Sequence, residues 1–257
     1  MIFKNVDQMY KHYVKRIIDT GLDVGDTKEL TNVIFTVKNV SNNIVNIRNV
    51  SYKYAIAELI WYFSGDNSVE FISQFANLWK HISDDGVTNN SAYGYILKEK
   101  FGFDQIEKII ELLKKDPESR RAVININAAN ERVIETKDEP CTISLQFMIR
   151  HGKLNCTSVM RSNDLYFGLP YDAIFFTELQ KYIAYRLGIE AGRWTHFVGS
   201  MHIYKRDIKK LQSLKLDDVQ YTIDVFKLLE NIDYLKENVN KENIIEISTK
   251  LGVLNEV

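Results

Sequence analysis

The 257-residue sequence has little of what would point to a large charged partner. Its 33 lysines and arginines nearly balance its 34 aspartates and glutamates, and it contains only three prolines and two cysteines. A chain without net basic charge has no general attraction to nucleic acid or to an anionic membrane, so an anionic ligand must be held by locally gathered cations. We therefore expect a small-molecule partner, and neither nucleic acid nor a membrane.

Two further absences concern location and cysteine chemistry. No apolar run reaches the roughly 18 residues needed to span a membrane, and the first residues are charged and amphipathic rather than signal-like. Cys141 and Cys156 have neither metal-ligand spacing nor a secretory context, which favours free thiols over a disulfide. We expect a cytoplasmic protein with no bound metal and at least one thiol available to react.

Hydrophobic spacing predicts helices and strands in a single domain spanning residues 1–257. With 45% apolar residues, the chain is long enough for one large core. Helices are predicted at 7–20, 51–64, 103–116, 171–187 and 205–214, and the segment beyond about residue 208 is charged and helical. Strands are predicted at 122–127, 142–150, 154–160 and 194–204, with a strand-rich stretch at 30–50.

Arginines mark two element boundaries. Arg120 and Arg121 follow a proline turn and precede a predicted strand, and Arg161 with Ser162 follows another strand. Guanidinium groups bind phosphate or carboxylate in a bidentate manner, which favours an anion site. For an isolated arginine pair, a solvated pair at an element boundary is the more common explanation.

Other residues suggest chemistry, each with a plainer alternative. Cys141 enters a predicted strand near cations that would favour a thiolate nucleophile, whereas Cys156 alternates with apolar neighbours and is expected to pack. His202 and Tyr204 are two residues apart and so point to one face of a strand, either as ligands or as a satisfied interior pair. Glu58 lies in an apolar helix, where an acid either reaches outward or is held for a purpose.

Taken together, these motifs resemble one family. The segments AELIWYFSGD, DPESRR, EPC, RSND, GLPYD and HIY occur in the order and spacing of the thymidylate synthase superfamily, from about Arg48 to Asp207. The resemblance implies an α+β fold, a mixed β-sheet flanked by helices, in which the sheet forms a homodimer interface. It also implies transfer of a one-carbon unit from 5,10-methylenetetrahydrofolate to C5 of a pyrimidine nucleotide.

The resemblance assigns expected roles to individual residues. Cys141 is the implied nucleophile that adds to C6 of the pyrimidine, and Glu58 organises water and proton transfers around the base. The implied nucleotide-binding residues are Arg161 and Ser162 at the phosphate, Arg120 and Arg121 at the phosphate of the partner subunit, His202 and Tyr204 at the sugar, and Tyr93 and Asp164 without an assigned role. The implied folate-binding residues are Trp79, Arg48, Asp164 and Gly168.

Departures from the family pattern carry the finer prediction. Thymidylate synthases have an early phosphate-binding arginine, for which only Lys28 is a candidate substitute here. They have histidine after the nucleophile and asparagine after the GLP turn, where this chain has Thr142 and Asp172. A carboxyl group accepts a hydrogen bond from the C4 amine of cytosine, and a proton shared with N3 completes the second contact.

Asp172 therefore favours a cytosine nucleotide. These departures resemble the dCMP hydroxymethylases of T-even bacteriophages, in which water adds to an exocyclic methylene to give 5-hydroxymethyl-dCMP and tetrahydrofolate. Two alternatives stay open: a methylase of dUMP or dCMP that releases dihydrofolate, and a catalytically silent nucleotide-binding paralogue.

Overall fold

The computed structural model describes residues 1–126, 135–212, 215 and 219–256. The chain divides into two compact units, each built from three segments. The first comprises Met1–Val50, Ile110–Val123 and Cys141–Gln220, and the second comprises Ser51–Ile109, Ile124–Pro140 and Tyr221–Val257.

The first unit is organised by a mixed β-sheet. Within the described residues its strands are β1 (Ile2–Phe3), β2 (Leu22–Val24), β3 (Thr27–Val37), β4 (Val123–Asn125), β5 (Thr142–Arg150), β6 (Lys153–Asp164) and β7 (Glu190–Tyr204). Their order is β1-β3-β7-β6-β5-β4, with β2 paired to β3. β1 runs parallel to β3 and β6 parallel to β7, whereas the β2–β3, β3–β7 and β5–β6 pairs are antiparallel.

A tight turn fixes the β5–β6 hairpin. Arg150 pairs with Lys153, which leaves His151 and Gly152 as a two-residue connection. Both residues have positive φ, 53° and 71°. A two-residue hairpin turn of type I′, whose twist matches that of the strands, requires positive φ at both positions. The hairpin predicted from sequence is confirmed.

Two helices cover one face of this sheet. They are α1 (Val6–Thr20), capped by Asn5 Oδ1, which accepts from the Gln8 amide at 3.1 Å, and α7 (Leu169–Arg186). Between them lies an aromatic core in which the Phe35 ring is 5.4 Å from Tyr13 and 5.5 Å from Trp194, and Phe176 is 6.3 Å from Trp194. A short 3₁₀ helix (Lys205–Asp207) and α8 (Ile208–Gln212) follow β7.

The second unit is mainly helical. Its elements are α2 (Tyr52–Ser64), α3 (Val69–Ile72), α4 (Leu78–Ile82), α5 (Tyr93–Lys98), α9 (Val225–Glu230), α10 (Ile232–Asn238), α11 (Ile244–Lys250) and the antiparallel pair β8 (Tyr221–Ile223) and β9 (Leu254–Glu256). α6 (Gln105–Lys115) and β4 each contain a boundary between segments of the two units. α2 is buried almost all round, as its sequence predicts. A Cβ on Gly94 of α5 would lie 1.7 Å from the Tyr62 carbonyl oxygen, so glycine permits the α2–α5 approach.

Most predicted elements are confirmed, with differences at their ends. The predicted stretch 30–50 is a strand only to Val37, and then an asparagine-rich segment contains a 3₁₀ turn at Asn46–Arg48, because asparagine favours turns over strands. Helix α7 begins at Leu169 because Pro170 fits a first helical turn. Asn127, Ser213 and Leu214, at the ends of predicted elements, lie outside the described residues.

Truncating the aromatic core of the first unit should destabilise the protein far more than an edge substitution. Phe35 is fully buried, so Phe35→Ala is expected to lower the free energy of unfolding by about 3–5 kcal/mol. Val24, on β2 and 48% exposed, is the matched control, and Val24→Ala should cost less than about 1 kcal/mol. Urea titration followed by circular dichroism measures both, and equal losses would contradict the assigned core.

Candidate active site

Two strand ends of the first unit meet at the predicted nucleophile. Cys141 directly precedes β5, is half-buried and is not disulfide-bonded, and its carbonyl oxygen accepts from the Arg161 amide at 2.9 Å. The side chain of Arg161 is exposed on β6. Cys156 is 1% exposed, and burial raises the pKa of its thiol well above the usual value. The accessible thiol is therefore Cys141, and Cys156 packs as predicted.

The parallel pairing of β6 with β7 brings together the predicted phosphate and sugar ligands. Ser162 pairs with Ser200, and its hydroxyl lies 3.3 Å from His202 Nδ1. The rings of His202 and Tyr204 meet edge to face at 5.6 Å, as expected of neighbours on one strand face. The Arg206 guanidinium lies 4.4 Å from the centre of the Tyr204 ring. Sequence reasoning missed Arg206, although a cation two residues after the HIY motif was a visible signal.

Asp172 lies in the first turn of α7 and is bonded to a residue of β6. Asn163 Nδ2 donates to Asp172 Oδ2 at 2.7 Å. The residue keeps some exposed surface, but protein atoms surround its carboxyl group, and this burial, with a smaller contribution from the Asp164 carboxylate, raises the pKa of Asp172 to about 7. The Asn163 hydrogen bond acts in the opposite direction. At neutral pH the carboxyl group is therefore near the midpoint of its titration.

Asp164 and Gly168 lie beside the Asn163–Asp172 hydrogen bond. Burial raises the pKa of Asp164, against the opposing effects of the Tyr166 amide, which donates to Oδ1 at 2.7 Å, and of His202. A Cβ on Gly168 would lie 3.0 Å from Asn163 Nδ2 and 3.3 Å from Asp172 Oδ2. A side chain there would press on the hydrogen-bonded amide and carboxyl, so Gly168 leaves room for both.

Arg48 is held by aromatic rings on the same unit. Its guanidinium lies 4.4 Å from the centre of the Tyr166 ring, 5.6 Å from Tyr171 and 5.8 Å from Phe167. These contacts orient a half-buried cation, which suits a carboxylate-bearing ligand. Sequence reasoning identified Arg48 but not the rings.

The Lys28 amine is hydrogen-bonded to the C-terminal end of α1. Its amine donates to the carbonyl oxygen of Ile18, in the last turn of α1, at 2.9 Å. A cation is favourable at this negative helix end. A phosphate role for Lys28 requires it to exchange this bond.

Arg120 and Arg121 line a pocket at the tip of the β5–β6 hairpin. Its volume is about 760 Å³, and it is lined by Asp116, Glu118, Ser119, Arg120, Arg121, Ile149, Arg150 and His151. Arg121 is 3.9 Å from Asp116, and both arginines are exposed. The pocket lining does not include Cys141 or Arg161, so the structure does not group Arg161 with Arg120 and Arg121 in this pocket.

In the second unit, Glu58 is buried and bonded rather than directed outward. It is 7% exposed, Tyr54 Oη donates to its Oε1 at 2.6 Å, and Trp79 Nε1 donates to Tyr54 Oη at 3.0 Å. Tyr93 lies nearby, with its ring 5.3 Å from that of Tyr62. Sequence reasoning missed Tyr54, although its position four residues before Glu58 on a helix was the signal.

Metal-binding clusters and membrane-spanning helices are both absent from the described ranges. Across residues 1–126, 135–212, 215 and 219–256, no group of three or more His, Cys, Asp or Glu side chains is arranged to hold a metal ion. Among the helices of that same part of the chain, none is long and apolar enough to cross a membrane.

Comparisons with known proteins agree with the fold. The thermostable thymidylate synthase A from Bacillus subtilis superposes with a TM-score of 0.72 at 24% identity, over 98% of this chain and 94% of that one. At this identity the likeness concerns the fold, and with the mixed sheet and its flanking helices it establishes the predicted α+β class.

Sequence relatives include both synthases and hydroxymethyltransferases. A thymidylate synthase from Clostridium beijerinckii is 33% identical over 68% of this chain and 66% of its own length. Proteins named deoxyuridylate hydroxymethyltransferase, from Pseudomonas phage M6 and Bacillus phage SP01, are 32% and 29% identical over 65% and 88% of this chain. The matches span 48% and 68% of the two phage proteins.

The family match covers most of the chain. A family model described as thymidylate synthase matches residues 8–241, which include every residue of the candidate site. The chain therefore belongs to the thymidylate synthase family.

Proposed function

We propose that the protein is a deoxycytidylate 5-hydroxymethyltransferase, which converts dCMP to 5-hydroxymethyl-dCMP with 5,10-methylenetetrahydrofolate as co-substrate. Enzymes of this family use that folate, bind nucleotide monophosphates and are typically homodimers. The observation that carries the base assignment is the Asp172 carboxyl, bonded to Asn163 and with a pKa of about 7.

The protonation of Asp172 suits the cytosine edge. Cytosine presents an amine at C4 and an unprotonated N3, so a carboxyl that shares one proton with N3 both accepts from the amine and closes the N3 contact. Uracil presents a carbonyl at C4 and an N–H at N3, so an ionised carboxylate accepts only from N3–H and faces the C4 carbonyl without a proton. The neutral acid would have to donate its proton to that weakly basic carbonyl instead of sharing it with a ring nitrogen. A mismatched buried polar contact discriminates strongly, by a factor on the order of 10²–10⁴.

Cys141 supplies the covalent step in this proposal. Its thiolate adds to C6 of the pyrimidine, and the electron pair of the C5–C6 double bond makes C5 nucleophilic. C5 attacks the one-carbon unit of the folate, and a base then removes the C5 proton while the methylene carbon–nitrogen bond breaks. This step releases tetrahydrofolate and forms an exocyclic methylene on C5. Water adds to that methylene and gives up one proton, while the electron pair of the C5–methylene double bond moves to C5–C6 and the Cys141–C6 bond breaks, so the thiolate is regenerated.

The remaining residues are proposed to bind and orient the nucleotide. Arg161 is proposed to hold the phosphate with Ser162, and His202 and Tyr204 the sugar hydroxyl. Their support is the hydrogen-bond contact of Ser162 with His202 and the packed His202–Tyr204 rings. Tyr93, Asp164 and Lys28 stay predictions as nucleotide-binding residues.

Glu58 is proposed to order the water and proton transfers. Its Tyr54–Trp79 hydrogen-bond chain fixes one carboxyl oxygen within an apolar helix, which is how an enzyme holds an acid for proton transfer. Arg48, through its aromatic contacts, suits a folate carboxylate, and Trp79 offers an indole surface; Asp164 and Gly168 stay predictions for the folate.

A second substrate is favoured by a specific observation. Two relatives are named deoxyuridylate hydroxymethyltransferase, which supports water as the final acceptor but makes dUMP the competing substrate. The relative named thymidylate synthase keeps the methylase alternative, which releases dihydrofolate. A silent nucleotide-binding paralogue would keep the ligands without turnover.

A homodimer with shared sites is proposed from partly exposed apolar side chains on the second face of the sheet. Opposite the α1–α7 face, outward positions keep exposed surface, and the apolar ones include Ile34, Ile143, Val159 and Phe197. An apolar sheet face of this kind suits a copy of the same chain. Arg120 and Arg121 would then reach the partner's phosphate, and residues 1–257 would act as one catalytic domain.

Product analysis tests the function directly. Incubating the protein with methylenetetrahydrofolate and dCMP, dUMP or CMP separately should give hydroxymethyl-dCMP by mass spectrometry, with no absorbance growth from dihydrofolate. Cys141→Ser should abolish turnover, whereas Cys156→Ser, the matched control, should keep most of it because that thiol only packs. Preferred turnover of dUMP would refute the base assignment. No C5-hydrogen exchange with any nucleotide would favour the silent paralogue.

Exchanging the acid for an amide should change base preference. Asp172→Asn is expected to shift the dCMP-to-dUMP ratio of kcat/KM toward dUMP by a factor on the order of 10²–10⁴. For the wild type, the raised pKa means that Asp172 holds its proton below about pH 7 and loses it above. Turnover of dCMP should therefore fall as pH rises through 7, and Asp172→Asn should lack this limb. An unchanged ratio would contradict the role of Asp172.

The sheet-face dimer has its own test. Phe197→Asp places a charge on the outward face and should shift the protein toward monomer in sedimentation experiments, because an unpaired charge in an apolar interface is costly. Val24→Asp, on the exposed edge strand β2, is the control and should leave the sedimentation profile unchanged. A monomeric wild type would rule out the shared site.

A further inference from the structure

A buried hydrogen-bond chain extends from Asp172 into the core of the first unit. Asn163 Oδ1 lies 3.1 Å from His196 Nε2, and His196 Nδ1 lies 2.8 Å from Ser158 Oγ. Trp194 Nε1 donates to the same Ser158 oxygen at 2.8 Å. Asn163, Ser158, His196 and Trp194 are all 2% exposed or less, so water does not compete for these bonds.

The donor and acceptor of each bond in this hydrogen-bond chain can be assigned. Burial lowers the pKa of His196 to about 3, so its ring is neutral and carries a single N–H. Asn163 uses its amide nitrogen on Asp172, so its oxygen must accept from His196 Nε2–H. His196 Nδ1 then accepts from the Ser158 hydroxyl, which in turn accepts from Trp194 Nε1–H.

The reverse direction costs one hydrogen bond. If Asn163 turned its oxygen toward Asp172, its nitrogen would donate to His196 Nε2, and His196 Nδ1–H would donate to Ser158. Ser158 would then accept from both His196 and Trp194, and its own proton would have no acceptor among its described neighbours. Trp194, which can only donate, therefore selects the direction that ends with a donor aimed at Asp172.

We propose that His196 is a positioning residue for base selection. Through Ser158 and Trp194 it holds Asn163 in the orientation that donates to Asp172 Oδ2. Oδ1, which has no hydrogen-bond partner among the described residues, is thereby left as the oxygen that meets the pyrimidine edge. The inference rests on the proposed function for its consequence in base selection, but the positioning itself concerns the free protein.

A simpler role for His196 is aromatic packing. Its ring lies 5.2 Å from Phe35, 5.4 Å from Trp194 and 6.3 Å from Phe176. Phenylalanine at 196 would keep this packing and remove both hydrogen bonds, so the two roles separate experimentally. The charged group that faces Asp172 is Asp164, which is itself influenced by His202 and Asp207, and none of these is changed by the substitution.

The direct test measures the Asp172 pKa in the free protein. The probe is the side-chain carboxyl carbon in protein made with ¹³C-labelled aspartate, assigned by its loss in Asp172→Asn and titrated by NMR. His196→Phe should raise the Asp172 pKa by about one unit, because Asn163 no longer keeps its donor on the carboxylate. His196→Gln, which retains a donor and an acceptor, should restore most of the wild-type value.

Two further variants keep the test decisive. Ser158→Ala is a small truncation that removes the directional bias, and it should shift the pKa in the same direction by less if His196→Phe does not fold. Cys156→Ala, a buried truncation on the same strand, is the control and should leave the pKa unchanged. A pKa within about 0.3 units of wild type in both His196→Phe and Ser158→Ala would overturn the proposal.

The consequence for base selection is measured separately. The ratio of dCMP to dUMP dissociation constants, from calorimetry without folate, should change at least threefold in His196→Phe and return toward wild type in His196→Gln. A shifted pKa with an unchanged ratio would refute the link to base selection while leaving the proposed one-carbon reaction to the product assay. Failure of hydroxymethylation with a shifted pKa would refute the proposed function alone.

Discussion

The parallel pairing of β6 with β7 is the interaction on which the site of the first unit depends. Its register sets Ser158 opposite His196, Ser162 opposite Ser200 and Asp164 opposite His202. The strands approach closely at Gly199, where a Cβ would lie 2.9 Å from the Arg161 carbonyl oxygen. A slip of one residue would turn each side chain to the opposite face, so the proposed nucleotide-binding residues and the buried hydrogen-bond chain would both be lost.

That register also explains how one strand serves both stability and chemistry. Before Arg161, β6 alternates core residues such as Cys156 and Met160 with outward ones. From Arg161 to Asp164, successive residues include an exposed guanidinium, a hydroxyl near His202, a buried amide and a half-buried carboxyl. The same strand thus carries core residues at one end and a run of polar groups, proposed to bind the nucleotide, at the other.

Much of this was predictable from sequence, and the reason differs between fold and site. Long periodic elements such as α1, α2 and α7, and the hairpin with its His-Gly turn, follow from local patterning. Cys141, Asp172 and Glu58 were identifiable because an unusual residue stood in an informative context. Asn163 and His196 were not identified, because hydrogen bonds between separate elements depend on strand register, which no local pattern of residues specifies. Tyr54 was also missed, although its position four residues before Glu58 on one helix is a local signal.

The raised pKa of Asp172 makes the folded state less stable at neutral and higher pH. Its pKa rises from the ordinary 3.8 to about 7, so the folded state holds the proton more tightly than the unfolded chain between those values. Folding is consequently less favoured as pH rises through this window, and the full penalty applies above pH 7. The Asn163 donor offsets part of the penalty, because it stabilises the ionised form.

A carboxyl that titrates near neutrality can share a proton with a ring nitrogen, which neither a permanently charged aspartate nor an amide can do. Burial alone would make Asp172 a neutral acid, and a strong ion pair would make it a fixed anion. The Asn163 amide donor, held by the uncharged hydrogen-bond chain through His196, keeps the Asp172 pKa between these limits. The neutral His196 ring is suited to orienting Asn163, because it donates one hydrogen bond and accepts another without adding a charge near Asp172.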